Sequence, residues 1–274
     1  MDGHEMKRRA RWEDRKSRIR HQKQWHLTTL QTHLVAASGE FVGTFFFLFF
    51  GYAGHLMVVN QSNTSQVETP GVIQTVCVAY AYGFSLLVTV WAFYRISGGL
   101  FNPAVTLGLC IAGALPWARA AFLVPTQIVA SMCAGGLVEA MFTGSISSVN
   151  TTLIPGMSIA KGLFAEMFFT SYLVFVILML AIEKSRDTFI APVGIGLALF
   201  VAEVPGVYYT GGSLNPARSF GCAVAGRSFP GYFWIYCLGP AMGGALAAAY
   251  YRFVKLAHYE EANPGQDASQ PDEA

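Results

Sequence analysis

The sequence predicts an all-α membrane protein built as an inverted repeat, with six membrane-spanning helices and two re-entrant half-helices that enter the membrane without crossing it. Three observations predict it. Of the 274 residues, 53% are hydrophobic and 12% charged, a balance too apolar for one water-soluble core of ordinary composition. Runs of about 20 apolar residues, the length a helix needs to cross the hydrocarbon, recur six times along the chain. An eight-position frame occurs once in each half: Ser97-Gly98-Gly99-Leu100-Phe101-Asn102-Pro103-Ala104 and Thr210-Gly211-Gly212-Ser213-Leu214-Asn215-Pro216-Ala217. A tripeptide arises by chance. A hydroxyl residue, a Gly-Gly pair, two variable positions and Asn-Pro-Ala at identical spacing signal internal duplication.

The chain opens on residues 1–33, a polar tail in which Lys7, Arg8, Arg9, Arg11, Arg15, Lys16, Arg18, Arg20 and Lys23 all precede the first apolar run. No cleavable signal peptide is visible, because the first apolar run is long enough to stay in the membrane. Trp25, Leu27 and Leu30 near the end of the tail suggest contact with anionic lipid or a cytoplasmic plug; the plainer alternative is a disordered basic tail. Ser17, within Arg15-Lys16-Ser17-Arg18, is a candidate phosphorylation site, as is Ser185 farther along.

The membrane domain runs over residues 34–253 and divides into repeat one, 34–142, and repeat two, 159–253. Repeat one holds spans at roughly 34–57, 72–94 and 120–142; repeat two holds roughly 159–181, 190–208 and 232–253. The ten-residue alternation of a membrane β-barrel is absent. Between the second and third span of each repeat, residues 97–113 and 210–226 are apolar where a surface loop would be polar. Each reads as a half-helix with Asn102 or Asn215 as N-cap and Pro103 or Pro216 at the first helical position, where a missing N–H costs nothing. Non-helical backbone at such depth is tolerated only where it lines a cavity or is buried in protein. Glu40 and Thr44 in the first span are echoed by Glu166 and Thr170 in the fourth, a second trace of the duplication.

An even number of spans puts both termini on one side. Arg95, Arg119, Lys184, Arg186, Arg252 and Lys255 fall in alternate connections, on the same side as the basic tail, which the positive-inside rule makes cytoplasmic. Residues 254–274 form an acidic tail with Glu260, Glu261, Asp267, Asp272 and Glu273, so the net charge of +2 hides the asymmetry. The sequons at Asn60, Asn63 and Asn150 fall in connections that this topology puts outside, where they are candidate glycosylation sites. Five cysteines, all in apolar stretches and odd in number, argue for packing rather than a disulfide framework.

The two half-helices enter from opposite faces, so their N-termini meet near the midplane. Two positive dipole ends, each about half a charge, then lie beside two Asn amide donors. Such a site suits a neutral molecule that accepts hydrogen bonds, and repels protons and cations.

From Ser38 to Phe253 the chain resembles the aquaporin, or major intrinsic protein, family, on Ser97-Gly98-Gly99 through Gly108 and on Gly211 through Gly221. That resemblance implies the fold, passive transport, and assembly as a homotetramer in a lipid bilayer. Carried over residue by residue, it makes Asn102 and Asn215 the central donors of motifs completed by Pro103, Ala104, Pro216 and Ala217. It assigns Tyr82, Glu203, Gly212 and Arg218 to the outer selectivity constriction, and Glu40 and Glu166 to the support of the re-entrant loops. Val105 stands where the second half has Arg218, so only the outer face carries the charged constriction.

The departures concern selectivity. Water-selective members commonly carry His at the position of Glu203, and no histidine lies between His55 and His258. Glu203 either lines the pore, neutralised by Arg218, or points into protein or pairs with a loop donor, the favoured reading; an offset at Pro205 would present Val204 or Ala202 instead. Gly212, in place of bulkier residues, is expected to widen the constriction. Ser219-Phe220-Gly221 after the arginine, where glycerol conductors carry Asp, speaks against glycerol, and Tyr236-Cys237 half matches the aromatic pair of water channels.

The expected function is therefore a passive water channel. Hydrogen peroxide, glycerol or another small neutral solute is the alternative cargo, and a non-conducting adhesion or scaffold protein the alternative class. No Ser/His/Asp set, metal-ligand cluster, nucleotide loop or nucleic-acid patch appears, so no enzyme, metal, cofactor or nucleic-acid partner is expected. The expected location is the plasma membrane, with both termini cytoplasmic.

Overall fold

The structure, a computed structural model, describes Glu5, residues 27–64 and residues 71–265. Ser17 and Trp25 lie outside the described residues. Leu34–Ala274 form one compact unit and Met1–His33 another. Within the latter, the Thr28 N–H donates to Gln31 Oε1 (2.8 Å) and the Gln31 N–H to Thr28 Oγ1 (3.3 Å), a capping box that starts a helix. That helix, α1, spans Thr29–Thr64, beginning before the expected 34 because the cap, and not the hydropathy, sets its start. Its 36 residues measure about 54 Å at 1.5 Å per residue, well beyond the ~30 Å of bilayer hydrocarbon.

The remaining helices are α2 (Gly71–Phe93), α3 (Pro103–Ala112), α4 (Trp117–Met141), α5 (Ile159–Ile177), α6 (Ala191–Tyr209), α7 (Pro216–Ala225), α8 (Ile235–Leu256) and a last short turn, α9 (Tyr259–Ala262). Among the described residues, five helices are long and apolar enough to cross a membrane: α1, α2, α4, α5 with its continuation, and α6. The sixth long helix, α8, has 22 residues, but its glycines, Pro240, tyrosines and Arg252 dilute its apolar character.

The repeat is visible in how elements pair. Half-helix α3 of the first repeat packs on α8, the last helix of the second; half-helix α7 packs on α4, the last helix of the first. Helices α2 and α6, the equivalent members of the two repeats, pack against each other. Their crossing is close because glycine meets glycine. A Cβ on Gly83 would lie 2.9 Å from Gly196 O, and one on Gly196 would lie 2.7 Å from Gly83 O.

Polarity is inverted relative to a water-soluble protein. Glu40, Gln127, Ser131, Glu166, Glu203 and Arg218 are all buried, while Phe46, Phe50, Val88, Trp91, Phe168 and Phe253 face outward. A helix surface facing lipid gains nothing from polar groups, whereas the interior can satisfy them by hydrogen bonding.

Helix α5 does not stop at Ile177. It continues as a π turn, Leu178–Ile182, closed by the Glu183 N–H on Leu178 O (3.0 Å). The displaced Ala181 carbonyl accepts from Tyr94 OH (2.9 Å) and Lys184 Nζ (2.6 Å). Glu183 in turn receives Lys255 Nζ at 3.1 Å and the Tyr251 hydroxyl, fastening the end of α5 to α8.

Candidate functional site

The two glycines of each repeated frame lie in the left-handed region, Gly98 and Gly99 (φ 104° and 68°) and Gly211 and Gly212 (φ 80° and 61°), which only glycine enters without strain. The residue before each Asn is left-handed too, Phe101 at φ 52° and Leu214 at φ 49°. Holding a bulky residue there costs of order 1–3 kcal/mol and persists only when the surroundings over-determine it.

The buried glutamates supply that determination. Glu40 accepts from Ser97 Oγ (2.7 Å), Leu100 N (2.9 Å), Phe101 N (2.8 Å) and Gln127 Nε2 (2.8 Å). Glu166 accepts from Thr210 Oγ1 (2.6 Å), Ser213 N (3.1 Å) and Leu214 N (2.8 Å). Corresponding positions of the two frames do the same work, which explains why each frame starts with a hydroxyl residue. Gln127 and Ser131 on α4 reach both half-helix systems, Gln127 through Glu40 and Thr106, and Ser131 through its hydroxyl on Ala217 O (2.5 Å).

The two loops clasp each other. Asn102 Nδ2 donates to Leu214 O (2.8 Å) and Asn215 Nδ2 donates to Phe101 O (2.9 Å). Each Asn Oδ1 caps its own half-helix, Asn102 on Ala104 N (2.8 Å) and Asn215 on Ala217 N (2.9 Å). An amide nitrogen carries two N–H groups. One is spent on the clasp, and the second is left to the cavity that both Asn residues line.

That cavity is also lined by Tyr82, Val105, Glu203 and Arg218 and has a volume of about 20 Å³. A single water needs roughly 10–15 Å³ on this measure, so the cavity has room for about one water-sized molecule. Two further cavities lie about it: one of about 290 Å³, sharing Leu100, Val105 and Ile195 with it and bordered also by Tyr94, Ser97, Ala181 and Ile182, and, on the side of Arg218, one of about 220 Å³ bordered by His55, Ser148, Asn150, Tyr208 and Gly211.

Arg218 is held at the His55 end by Nη1 on Val149 O (3.1 Å) and Nη2 on Gly211 O (3.2 Å). Its guanidinium carbon lies 4.8 Å from the Tyr82 ring centroid and 6.0 Å from that of Tyr52, within cation–π range. The Tyr52 hydroxyl donates to the Arg218 carbonyl (2.5 Å). Tyr236 OH donates to Thr210 O (2.9 Å) and pins the same loop. In the first repeat the position of Arg218 is filled by Val105, also buried.

Two expectations for the constriction are corrected. Glu203 does not turn away into protein or pair with a loop donor. It lines the cavity, and its Oε2 is buried without a hydrogen-bond partner. Nor does Gly212 widen the passage. A Cβ on Gly212 would fall 1.7 Å from Glu203 Oε2, so the space left by the missing side chain is filled by the carboxyl of Glu203. No hydrogen bond joins Arg218 to Glu203, and Arg218 Nε and Tyr82 OH are likewise buried and unpartnered.

The sequons are corrected as well. Asn150 is buried at 6% exposure and its amide donates to Ser228 O (2.7 Å), so it offers no acceptor for a sugar. Asn60 sits inside α1, not in a loop, with its amide on Thr143 O (2.5 Å). The Asn63 side chain lies outside the description. Ser185 is half-buried, and its N–H donates to Thr188 Oγ1 (2.9 Å).

His55 and Tyr52 escaped the sequence reading. They stand three residues apart on α1, hence on one helical face, and polar groups inside an apolar span were the available signal. The His55 ring lies 6.0 Å from the Tyr82 ring, edge to face, with its Nδ1 unpartnered. Among the described residues, no cluster of His, Cys, Asp or Glu is arranged to hold a metal ion.

The sequence model of the family described as "Major intrinsic protein" matches residues 27–251. The chain is 67% identical over 248 residues to "Probable aquaporin-3" of Gibberella zeae, covering 90% of this chain and 87% of that one. It is 52% identical over 242 residues to "Aquaporin-7" of Botryotinia fuckeliana, covering 87% of this chain and 53% of that protein. Among solved structures, the X-ray structure of the aquaglyceroporin from Plasmodium falciparum superposes with a TM-score of 0.72 at 20% identity, over 84% of this chain and 99% of that one. At that identity the likeness is one of fold.

Proposed function

This chain belongs to the major intrinsic protein family of membrane channels, and from that premise we propose that it conducts water passively, as a homotetramer in the plasma membrane with both termini cytoplasmic. The observation that carries the reading is the cavity of about 20 Å³ lined by Asn102 and Asn215. Its size favours single-file water over glycerol.

The chemistry follows from the donors. A water passing the clasp turns its oxygen toward the two spare Asn N–H groups, so its own hydrogens point away along the pore in both directions. A chain of waters broken in this manner cannot relay a proton through the midpoint. The positive ends of α3 and α7, each about half a charge, and the permanently charged Arg218 disfavour cations in a passage with little water to shield them. Glu203 offers an acceptor at the constriction, complementing the donors of Arg218.

Stopped-flow shrinkage of proteoliposomes under an osmotic gradient tests the reading. Water permeability above that of empty vesicles, with no acidification of the lumen under an inward proton gradient, is the expected result. Permeability equal to that of empty vesicles overturns it. Parallel glycerol uptake decides the cargo: glycerol flux comparable to water flux would count against the size argument.

A further inference from the structure

The two repeats treat the first turn of their half-helices differently. In α7, two side-chain hydroxyls reach that turn from other helices: Ser131 Oγ donates to Ala217 O (2.5 Å) and Tyr52 OH donates to Arg218 O (2.5 Å). A helix carbonyl keeps a second lone pair for such a donor. The two hydroxyls lie 3.0 Å apart, so they form one clamp that joins α1, α4 and α7. Gly221 makes room for it, since a Cβ there would fall 1.9 Å from Ser131 Oγ. In α3 the counterpart carbonyl, Ala104 O, lies against the Gly244 backbone instead, where a Cβ on Gly244 would fall 2.6 Å from it.

Seating a half-helix is a need that both repeats share. What sets α7 apart is its arginine. Tyr52 stands as far beyond Glu40 as Leu178 stands beyond Glu166, so the repeat relation matches Tyr52 and Arg218 with Leu178 and Val105. Leucine has no hydroxyl to give. Tyr52 grips Arg218 at two points, its hydroxyl on the main chain and its ring 6.0 Å from the guanidinium carbon, within reach of cation–π attraction. The Tyr82 ring, 4.8 Å from the same carbon, meets Tyr52 edge to face at 6.4 Å. Tyr82 and Arg218 line the narrow cavity, whereas Tyr52 and Ser131 stand behind them.

Resting on the water-channel reading above, we infer that Tyr52, together with Ser131, is the positioning residue that keeps the Arg218 guanidinium on the wall of the passage and so keeps the passage open. The guanidinium's own bonds run to two loop carbonyls, Val149 O and Gly211 O. Without the clamp, the first turn of α7 shifts against those carbonyls and loosens both bonds. The freed guanidinium swings into a cavity of about 20 Å³, which has room for about one water. The arginine that guards the passage then blocks it.

Stopped-flow shrinkage of proteoliposomes of the full chain, normalised to channel number, tests this role. Tyr52→Phe keeps the ring and removes the hydroxyl; Tyr52→Leu removes both. Water permeability per channel is expected to fall about tenfold in Tyr52→Leu and about threefold in Tyr52→Phe, the range that one hydrogen bond spans in the balance between wall and cavity positions. Each substitution is then repeated in an Arg218→Val background. There the loss is expected to vanish, because the tyrosine acts through the arginine, whereas a packing defect lowers flux in both backgrounds alike. Wild-type permeability in both single variants, or an equal fractional loss with and without Arg218, overturns the inference. Should Tyr52→Leu not assemble, Tyr52→Phe, smaller than the wild type by one oxygen, decides the same comparison. Absence of wild-type water flux overturns the underlying reading instead.

Discussion

Gly212→Ala tests whether the carboxyl of Glu203 and the glycine form one unit. The new Cβ would fall 1.7 Å from Glu203 Oε2, 2.8 Å from its Cδ and 3.2 Å from its Oε1. Ordinary van der Waals contact begins at 3.4 Å, so the carboxyl has to move by about the same 1.7 Å again. One way open to it is the cavity of about 20 Å³ that it lines. A water needs roughly 10–15 Å³ of that space, so an intruding oxygen leaves too little for passage. Water permeability per channel is therefore expected to fall by on the order of tenfold or more. A separate cost comes from the backbone, since Gly212 has φ 61°, and a Cβ in the left-handed region costs roughly 1–2 kcal/mol. Removing the carboxyl in Gly212→Ala/Glu203→Ala eliminates the clash but not the backbone strain. The double variant is expected to recover most of the water flux in stopped-flow shrinkage while keeping a lowered unfolding temperature in detergent. Such non-additivity is the signature of direct contact. Wild-type flux in the single variant, or a double variant no better than the single, would refute the reasoning.

Other perturbations read other parts of the structure. Glu166→Ala leaves Ser213 N and Leu214 N without their acceptor, and Thr210 Oγ1 with Gly206 O alone; at about 1–3 kcal/mol per buried unpaired group, the two N–H groups give an expected loss of roughly 2–6 kcal/mol, measured as thermal unfolding in detergent, with Glu166→Gln less severe. Arg218→Val copies Val105 of the first repeat onto the second; it removes the bonds to Val149 O and Gly211 O and is expected to raise glycerol uptake above wild type, unchanged uptake arguing that the arginine does not limit the passage. Asn150→Gln is expected to leave electrophoretic mobility unchanged, because the residue is buried on Ser228 O, while lowering stability by about 1 kcal/mol through the lost hydrogen bond; a mobility shift would show that the residue carries sugar.

Much of this arrangement was legible before any coordinate. The length of the apolar runs announced spanning helices, since hydrocarbon thickness acts on each segment by itself. The Asn-Pro caps announced the half-helices for the same reason: a cap is a contact between neighbours in sequence. Segment ends were read less well. Helix α1 starts at Thr29, where Thr28 and Gln31 form a capping box, although the hydropathy rises only later. Asn60 and Asn150 satisfy a three-residue pattern that says nothing about burial, and both amides turned out to be engaged by distant carbonyls.

The constriction shows where reading along the chain runs out. Read along the chain, Glu203 and Gly212 are independent peculiarities: one a carboxylate where the resemblance leads one to expect histidine, the other a glycine expected to widen the constriction. Their meaning is joint, because one side chain occupies the space the other lacks. His55 and Tyr52, a helix away in sequence, complete the surroundings of Tyr82 and Arg218.

By itself the sequence determined the membrane helices, the duplicated half-helix frames and the family, because apolar length, capping and repetition are written in local order. Only the tertiary structure decided the reciprocal Asn102 and Asn215 clasp, the cradle of backbone N–H groups on Glu40 and Glu166, and the filling of the Gly212 gap by Glu203. Each of these joins residues far apart in sequence, and sub-ångström questions of who fills which space are settled by packing, which no one-dimensional pattern encodes.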